Sequence, residues 1–225
     1  MITICVLFPD LLGTYGDAGN ALVIVERARR RGIDASLVTV GLSDEVPEAD
    51  LYLLGGGEDG PQRQAVDLLR RSSFTSRVRD GAWVVAVCAG LQILGNTFAV
   101  EGDDEFEGLG LVDVVTVRGE RRSVGDLAVR VNGQLLVGFE NHGGRTTLSG
   151  GVQPLGSVAT GRGNDGNVDG YRTKNIWATY AHGPVLAMNP WFADEVLATV
   201  VGSELELLSS AADQLYLERS RVLSR

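Results

Sequence analysis

The chain has 225 residues, 44% of them hydrophobic, enough to bury a substantial core in one domain. Its formal net charge of −9 argues against a general nucleic-acid-binding surface, and no apolar run approaches the length of a membrane span. The start Met1-Ile2-Thr3-Ile4-Cys5 lacks the basic region of a signal peptide, so a cytoplasmic location is expected, and two cysteines make neither a disulfide framework nor a metal site.

Ile2 to Phe8 reads as a buried strand with Cys5 in its core. Asp17 to Arg31 reads as a helix with Ala21, Leu22, Ile24, Val25 and Ala28 on one side, stopped by Gly32. Asp34 to Val40 is a second strand, and Asp50 to Leu54 a third that ends in Gly55-Gly56-Gly57. Pro61 to Arg79 reads as one long amphipathic helix with proline at its start, and Gly81 to Val87 as a fourth strand. This alternation calls for an α/β fold, a central and mostly parallel sheet flanked by helices with its chemistry at the carboxyl ends of the strands. After about Gly108 the pattern changes. Leu109 to Arg118, Asp126 to Val131, Gln134 to Glu140 and Val152 to Thr160 alternate apolar and polar residues, with an Asn132-Gly133 hairpin signature, and read as antiparallel strands. Asn175 to Ala181 is a further strand and Pro190 to Val201 a closing helix. Residues 1–202 make one domain, and 203–225 form a helix-compatible tail that docks on the body or on a partner.

The run Ala82 to Val87 stops on Cys88, followed by Ala89-Gly90 and a helical start. A thiol on a sharp strand-to-helix turn is a nucleophile elbow, where small neighbours are needed and helix N–H groups favour the thiolate. The competing reading is a buried core cysteine, and a competing class of function is a thiol sensor on the same fold. A thiol nucleophile needs an imidazole to take its proton and later protonate the leaving amine. Of the two histidines, His182 stands at a strand end before Gly183-Pro184 and is the candidate base. The other lies in the polar cluster Glu140-Asn141-His142-Gly143-Gly144-Arg145, read as a substrate-binding loop, although a solvated hairpin turn has similar composition. Gly55-Gly56-Gly57 suits an oxyanion hole; a phosphate loop lacks its Gly-Lys-Ser/Thr, and a plain turn is the bland alternative.

Three segments in this order, Gly55-Gly56-Gly57, Val87-Cys88-Ala89-Gly90-Leu91-Gln92 and Tyr180-Ala181-His182-Gly183-Pro184, resemble class I, triad-type glutamine amidotransferases of the cobyric acid synthase-like branch. Gly16-Asp17-Ala18-Gly19-Asn20 and Gly138 to Arg145 are similar, more narrowly, to the glutaminase subunits of lipid II isoglutaminyl synthases, over residues 1–200. The resemblance implies L-glutamine as substrate, Cys88 as nucleophile, His182 as base and acid, and Gly56, Gly57 and Ala89 around the oxyanion. It places a glutamine-contacting arginine at Arg122, with Arg121 as the neighbouring alternative. It implies no cofactor in this chain, with ATP and Mg²⁺ on a separate Mur-ligase-like subunit that forms a heterodimer with it and amidates the D-glutamate α-carboxylate of the lipid II stem peptide. Another ATP-dependent amidase, such as one acting on cobyrinate, is the alternative partner. One position departs from the pattern: most class I members carry a glutamate two residues after the histidine, and here that residue is Pro184. The resemblance implies that a carboxylate of the ligase partner completes the triad; a dyad, or Asp169, Asp165 or Glu140 of this chain, are the alternatives.

Overall fold

The apolar amino-terminal run forms β1 (Ile2–Leu7), buried on both faces as a central parallel strand must be. It is followed by α1 (Gly19–Arg29), β2 (Ala35–Val40), β3 (Leu51–Leu54), α2 (Asp59–Arg70), α3 (Phe74–Arg79), β4 (Trp83–Val87) and the short α4 (Ala89–Ile93). The second half contributes β5 (Thr97–Ala99), β6 (Glu105–Glu107), β7 (Val114–Val131), β8 (Gln134–Leu148), β9 (Gly156–Thr160), β10 (Val168–Asp169), β11 (Tyr171–Arg172) and β12 (Ile176–Thr179). Helices α5 (Val185–Met188), α6 (Pro190–Val201) and α7 (Ala211–Leu223) close the chain. The structure, a computed structural model, describes residues 1–99 and 105–223.

The strands form two sheets. The first has the order β11-β12-β4-β3-β1-β2, parallel throughout except for β11 at its edge. This order sets the ends of β1, β3, β4 and β12 side by side, so segments distant in sequence emerge at one sheet edge. The second sheet has the order β10-β9-β7-β5-β6, with β8 paired antiparallel to β7. The β7–β8 hairpin turns at Asn132 (φ 50°) and Gly133 (φ 83°), the positive-φ pair that an Asn-Gly two-residue turn supplies.

Four expectations change in detail. The long helix 61–79 is two helices, because the Ser72 hydroxyl donates to the Leu69 carbonyl (2.8 Å) and accepts from the Phe74 N–H (3.1 Å), competing with the helical ladder. The separate strands 109–118 and 126–131 are one strand, β7 (Val114–Val131), whose pairing with β8 is irregular between Arg118 and Ser123. The polar cluster 140–145 is not a loop; it continues β8 to Leu148, with Gly144 opposite Arg118. Helix α1 begins at Gly19 rather than Asp17, which leaves the Asp17 side chain in the preceding turn.

Cys5 is fully buried in β1, and burial pushes its thiol up to about 12, so it is an inert core residue. The tail packs on the body: Ala128, Leu135 and Val137 of the hairpin form a small core against Met188, Tyr216 and Leu223, and the Tyr216 hydroxyl donates to the Leu135 carbonyl (2.8 Å). Residues 224–225 of that tail lie outside the described residues. Among the described residues no helix is long and apolar enough to cross a membrane.

Candidate active site

Strand β4 ends at Val87, and Cys88 turns the chain with φ 51° and ψ −104°, a conformation that costs a non-glycine residue about 1–3 kcal/mol. Surrounding backbone bonds hold it there: the Cys88 N–H donates to Thr179 O (2.9 Å), Gln92 N–H to Cys88 O (3.1 Å), and Gly90 N–H to Gly55 O (3.1 Å). Gly90 has to be small, since a Cβ there would lie 2.8 Å from the Leu54 carbonyl oxygen. The elbow therefore exists as its sequence implies. Its resting thiol does not match the expectation of a favoured thiolate. Burial first, and then the Asp17 carboxylate, push Cys88 up to about 12, against the Ala89 N–H and Arg122, which pull it down. The thiol is protonated at neutral pH and has to hand its proton to a base as it attacks.

His182 follows β12 and is fully buried. Its backbone pairs with Phe139 in both directions (2.8 and 3.2 Å), and its ring lies between Tyr15, 4.4 Å between centroids, and Phe139, 5.4 Å. Nδ1 faces Asp17 Oδ2 at 3.0 Å, and the same oxygen accepts the Gly56 N–H at 2.8 Å. A carboxylate oxygen accepts, so Nδ1 donates and Nε2 carries the lone pair. Nε2 is buried with no hydrogen-bond partner among the described residues, the arrangement of a base awaiting a proton.

Asp17 thus stands where a partner's carboxylate was expected, and the three acids considered within the chain are engaged elsewhere. Asp169, pushed up to about 7 by burial, accepts Thr179 Oγ1 (2.5 Å) and the Tyr180 N–H (3.2 Å). Asp165 accepts the N–H groups of Asn167 and Val168 in its own turn. Glu140 faces inward: Oε1 accepts the Arg162 N–H (2.8 Å) and Oε2 the Gly163 N–H (2.9 Å). Asp17 is 165 positions from His182, and nothing local relates them. In the sequence it stands out only within the Gly16-Asp17-Ala18-Gly19-Asn20 motif of the resemblance, which assigns it no catalytic role.

The glycine triplet plays a different part at each residue. A Cβ on Gly56 would fall 2.5 Å from His182 Cε1, so its lack of a side chain makes room for the imidazole. Its N–H is committed to Asp17, which removes it from the expected oxyanion hole. Gly57 and Ala89 do line the cleft beside Cys88, a space of about 80 Å³ that Tyr15, Glu58, Asp59, Gln92, Arg118, Arg122, Asn141, His142 and Gly144 also border.

Of the substrate-binding candidates, Arg122 and Asn141 lie in this cleft together. Arg122 Nε donates to Asn141 Oδ1 (2.5 Å) and Nη2 to the Asn141 carbonyl (3.2 Å) and the Tyr15 hydroxyl (3.4 Å). Arg121 does not border the cleft; its carbonyl receives Arg145 Nη2 at 2.7 Å. Arg122→Ala is therefore expected to raise KM for glutamine by about tenfold or more, the scale of one lost charged hydrogen bond. Arg121→Ala should leave KM near wild type, and steady-state kinetics of both variants checks the pair.

His142 reaches the cleft wall with Nε2 facing Glu140 Oε2 (3.0 Å) and Nδ1 facing the Gly144 carbonyl (3.1 Å). It stacks on Tyr180 at 3.8 Å, and burial pushes its imidazole below the ordinary value despite Glu140. Glu140 itself does not border the cleft, and hydrogen bonds from His142, Gly163 and Arg162 hold its carboxyl below the usual range in spite of burial. Beneath the cleft a buried chain runs from Gln62 Nε2 to Gln92 Oε1 (2.9 Å), from Gln92 Nε2 to the Tyr180 hydroxyl (3.1 Å), and on to Thr146 (2.7 Å) and Thr116 (2.8 Å). Tyr15, Glu58 and Gln62 carried no sequence signal as cleft residues, whereas Arg118 opens the 118–122 segment in which a substrate-holding arginine is expected.

A profile of the CobB/CobQ-like glutamine amidotransferase domain matches residues 3–190. The chain belongs to that family. Among this amidotransferase's relatives is the lipid II isoglutaminyl synthase (glutamine-hydrolyzing) subunit GatD of Staphylococcus aureus (strain N315), 34% identical over 203 residues, 87% of this chain and 83% of the relative. The protein of the same name from Streptococcus pneumoniae (strain ATCC BAA-255 / R6) is 32% identical over 219 residues, 92% of this chain and 84% of that one. A solved crystal structure of a glutamine amidotransferase superposes with a TM-score of 0.58 at 20% identity, covering 88% of this chain and 98% of the other, which shows the shared fold.

Proposed function

We propose that this amidotransferase is the glutaminase subunit of a lipid II isoglutaminyl synthase, hydrolysing L-glutamine and passing ammonia to an ATP-dependent, Mur-ligase-like partner. The observation that carries the reading is the similarity to two proteins of that name across more than four-fifths of both chains. The buried His182–Asp17 pair, at the end of the strand next to the one that leads into Cys88, supports the hydrolytic half of the activity and counts against a thiol sensor, which needs no buried imidazole–carboxylate pair.

In this reading the Cys88 proton passes to His182 Nε2 as the sulfur bonds to the side-chain amide carbon of glutamine. Backbone N–H groups of Gly57 and Ala89 receive the resulting oxyanion. The Nε2 proton then goes to the departing amine, the C–N bond breaks and ammonia leaves a γ-glutamyl thioester. Water attacks that thioester, giving its proton to Nε2; the C–S bond breaks, and glutamate and the free thiol are regenerated. Asp17 keeps Nδ1 protonated and the ring oriented throughout. ATP and Mg²⁺ belong to the partner, which activates the D-glutamate α-carboxylate of the lipid II stem peptide for attack by ammonia in the cytoplasm.

The CobB/CobQ-like character of the family keeps one rival, a partner that amidates cobyrinate. Co-purification with a Mur-ligase-like subunit, followed by assay with glutamine, ATP and either acceptor, separates the two. Glutamine-dependent amidation of lipid II is the expected result. Amidation of cobyrinate alone would overturn the assignment.

A further inference from the structure

The cleft over Cys88 carries charge of both signs: Arg118 and Arg122 from β7, Glu58 and Asp59 from the start of α2. Arg122 is held in place by Asn141 and Tyr15. Glu58 is different. Its main-chain carbonyl accepts the Gln62 N–H (2.8 Å), but its side chain makes no capping bond and no ion pair among the described residues. Its charge is nevertheless felt at the nucleophile, where it opposes the thiolate while Arg122 favours it. A carboxylate beside the reacting thiol, with no cation of its own, works against catalysis unless the substrate brings the cation. L-Glutamine brings one, because its α-carbon bears an ammonium and a carboxylate together.

Resting on the glutaminase reading, we propose that Glu58 takes the α-ammonium of L-glutamine while Arg122 holds the α-carboxylate. The pair then selects for a free amino-acid end and fixes the register of the side-chain amide over Cys88. Asp59 borders the same cleft and is the control for this assignment.

The test compares L-glutamine with 4-carbamoylbutanoate, the same molecule without its α-ammonium. The wild-type chain should favour glutamine in kcat/KM, and Glu58→Gln should shrink that preference by about tenfold or more, the scale of a charge-assisted hydrogen bond. Alkylation of Cys88 by iodoacetamide in the free Glu58→Gln variant should be faster than in wild type at the same pH, a change that a merely structural role would not produce. Glu58 is exposed, so the variant should fold, which circular dichroism verifies. Unchanged discrimination in Glu58→Gln, or its loss in Asp59→Asn instead, overturns the proposal while the glutaminase reading stands. A wild-type chain that hydrolyses no glutamine, alone or with its partner, overturns both.

Discussion

Cys88→Ala is expected to abolish glutamine hydrolysis, lowering kcat by about 10⁴-fold or more, as loss of a covalent nucleophile does. Cys88→Ser should be nearly as inactive, because a hydroxyl is a far weaker nucleophile under the same base. The fold should survive either change: the elbow is held by backbone bonds to Thr179, Gln92 and Gly55, none of which uses the sulfur. Cys5 offers no substitute, buried in β1 with its thiol pushed up to about 12. Ammonia-release assays and circular dichroism on the purified variants check both halves, and retained turnover would remove Cys88 from the mechanism.

Asp17→Asn should be almost as damaging, with kcat lower by about 10³–10⁴-fold, the scale for replacing a triad aspartate. Asp17 Oδ2 accepts from two donors, the Gly56 N–H and His182 Nδ1. With the asparagine oxygen in that position both bonds persist, but the neutral amide does not stabilise the imidazolium that His182 becomes on taking the Cys88 proton, and its NH₂ sits in the buried Oδ1 position, which has no partner among the described residues. Asp17→Ala should in addition leave the Gly56 N–H buried and unpaired, at about 1–3 kcal/mol of stability. Thermal unfolding and steady-state kinetics separate the two effects. Assayed with the ligase partner bound, Asp17→Asn also discriminates between sources of the third triad member. A carboxylate supplied by the partner would restore the rate, whereas an in-chain triad would stay impaired.

Much of this site was readable from residues 55–57, 87–92 and 180–184, because an elbow and a strand-end histidine have local signatures. Asp17 was not readable as a catalytic group. Its partnership with His182 comes from the sheet order that sets β1 and β3 beside β4 and β12, and no sequence periodicity encodes it. Glu140 misled for a different reason: it lies off the cleft, while His142 two residues on borders it. They are two apart on one strand and both turn inward, but Gly143-Gly144 made the segment read as a turn and hid the alternation. The Ser72-Ser73 break in the long helix depends on one hydroxyl bonding to two backbone groups, which an amphipathic pattern does not register.

The central claim is that this chain by itself carries a glutamine-directed thiol nucleophile at Cys88. The most direct measurement is labelling of the isolated chain by 6-diazo-5-oxo-L-norleucine, a glutamine analogue with an electrophilic end, followed by peptide mapping and ammonia-release assay. The account predicts a label on Cys88 and none on Cys5, protection by L-glutamine, and loss of hydrolysis in step with labelling. Inactivation with the label on another residue, or unimpaired hydrolysis with Cys88 fully labelled, would contradict it.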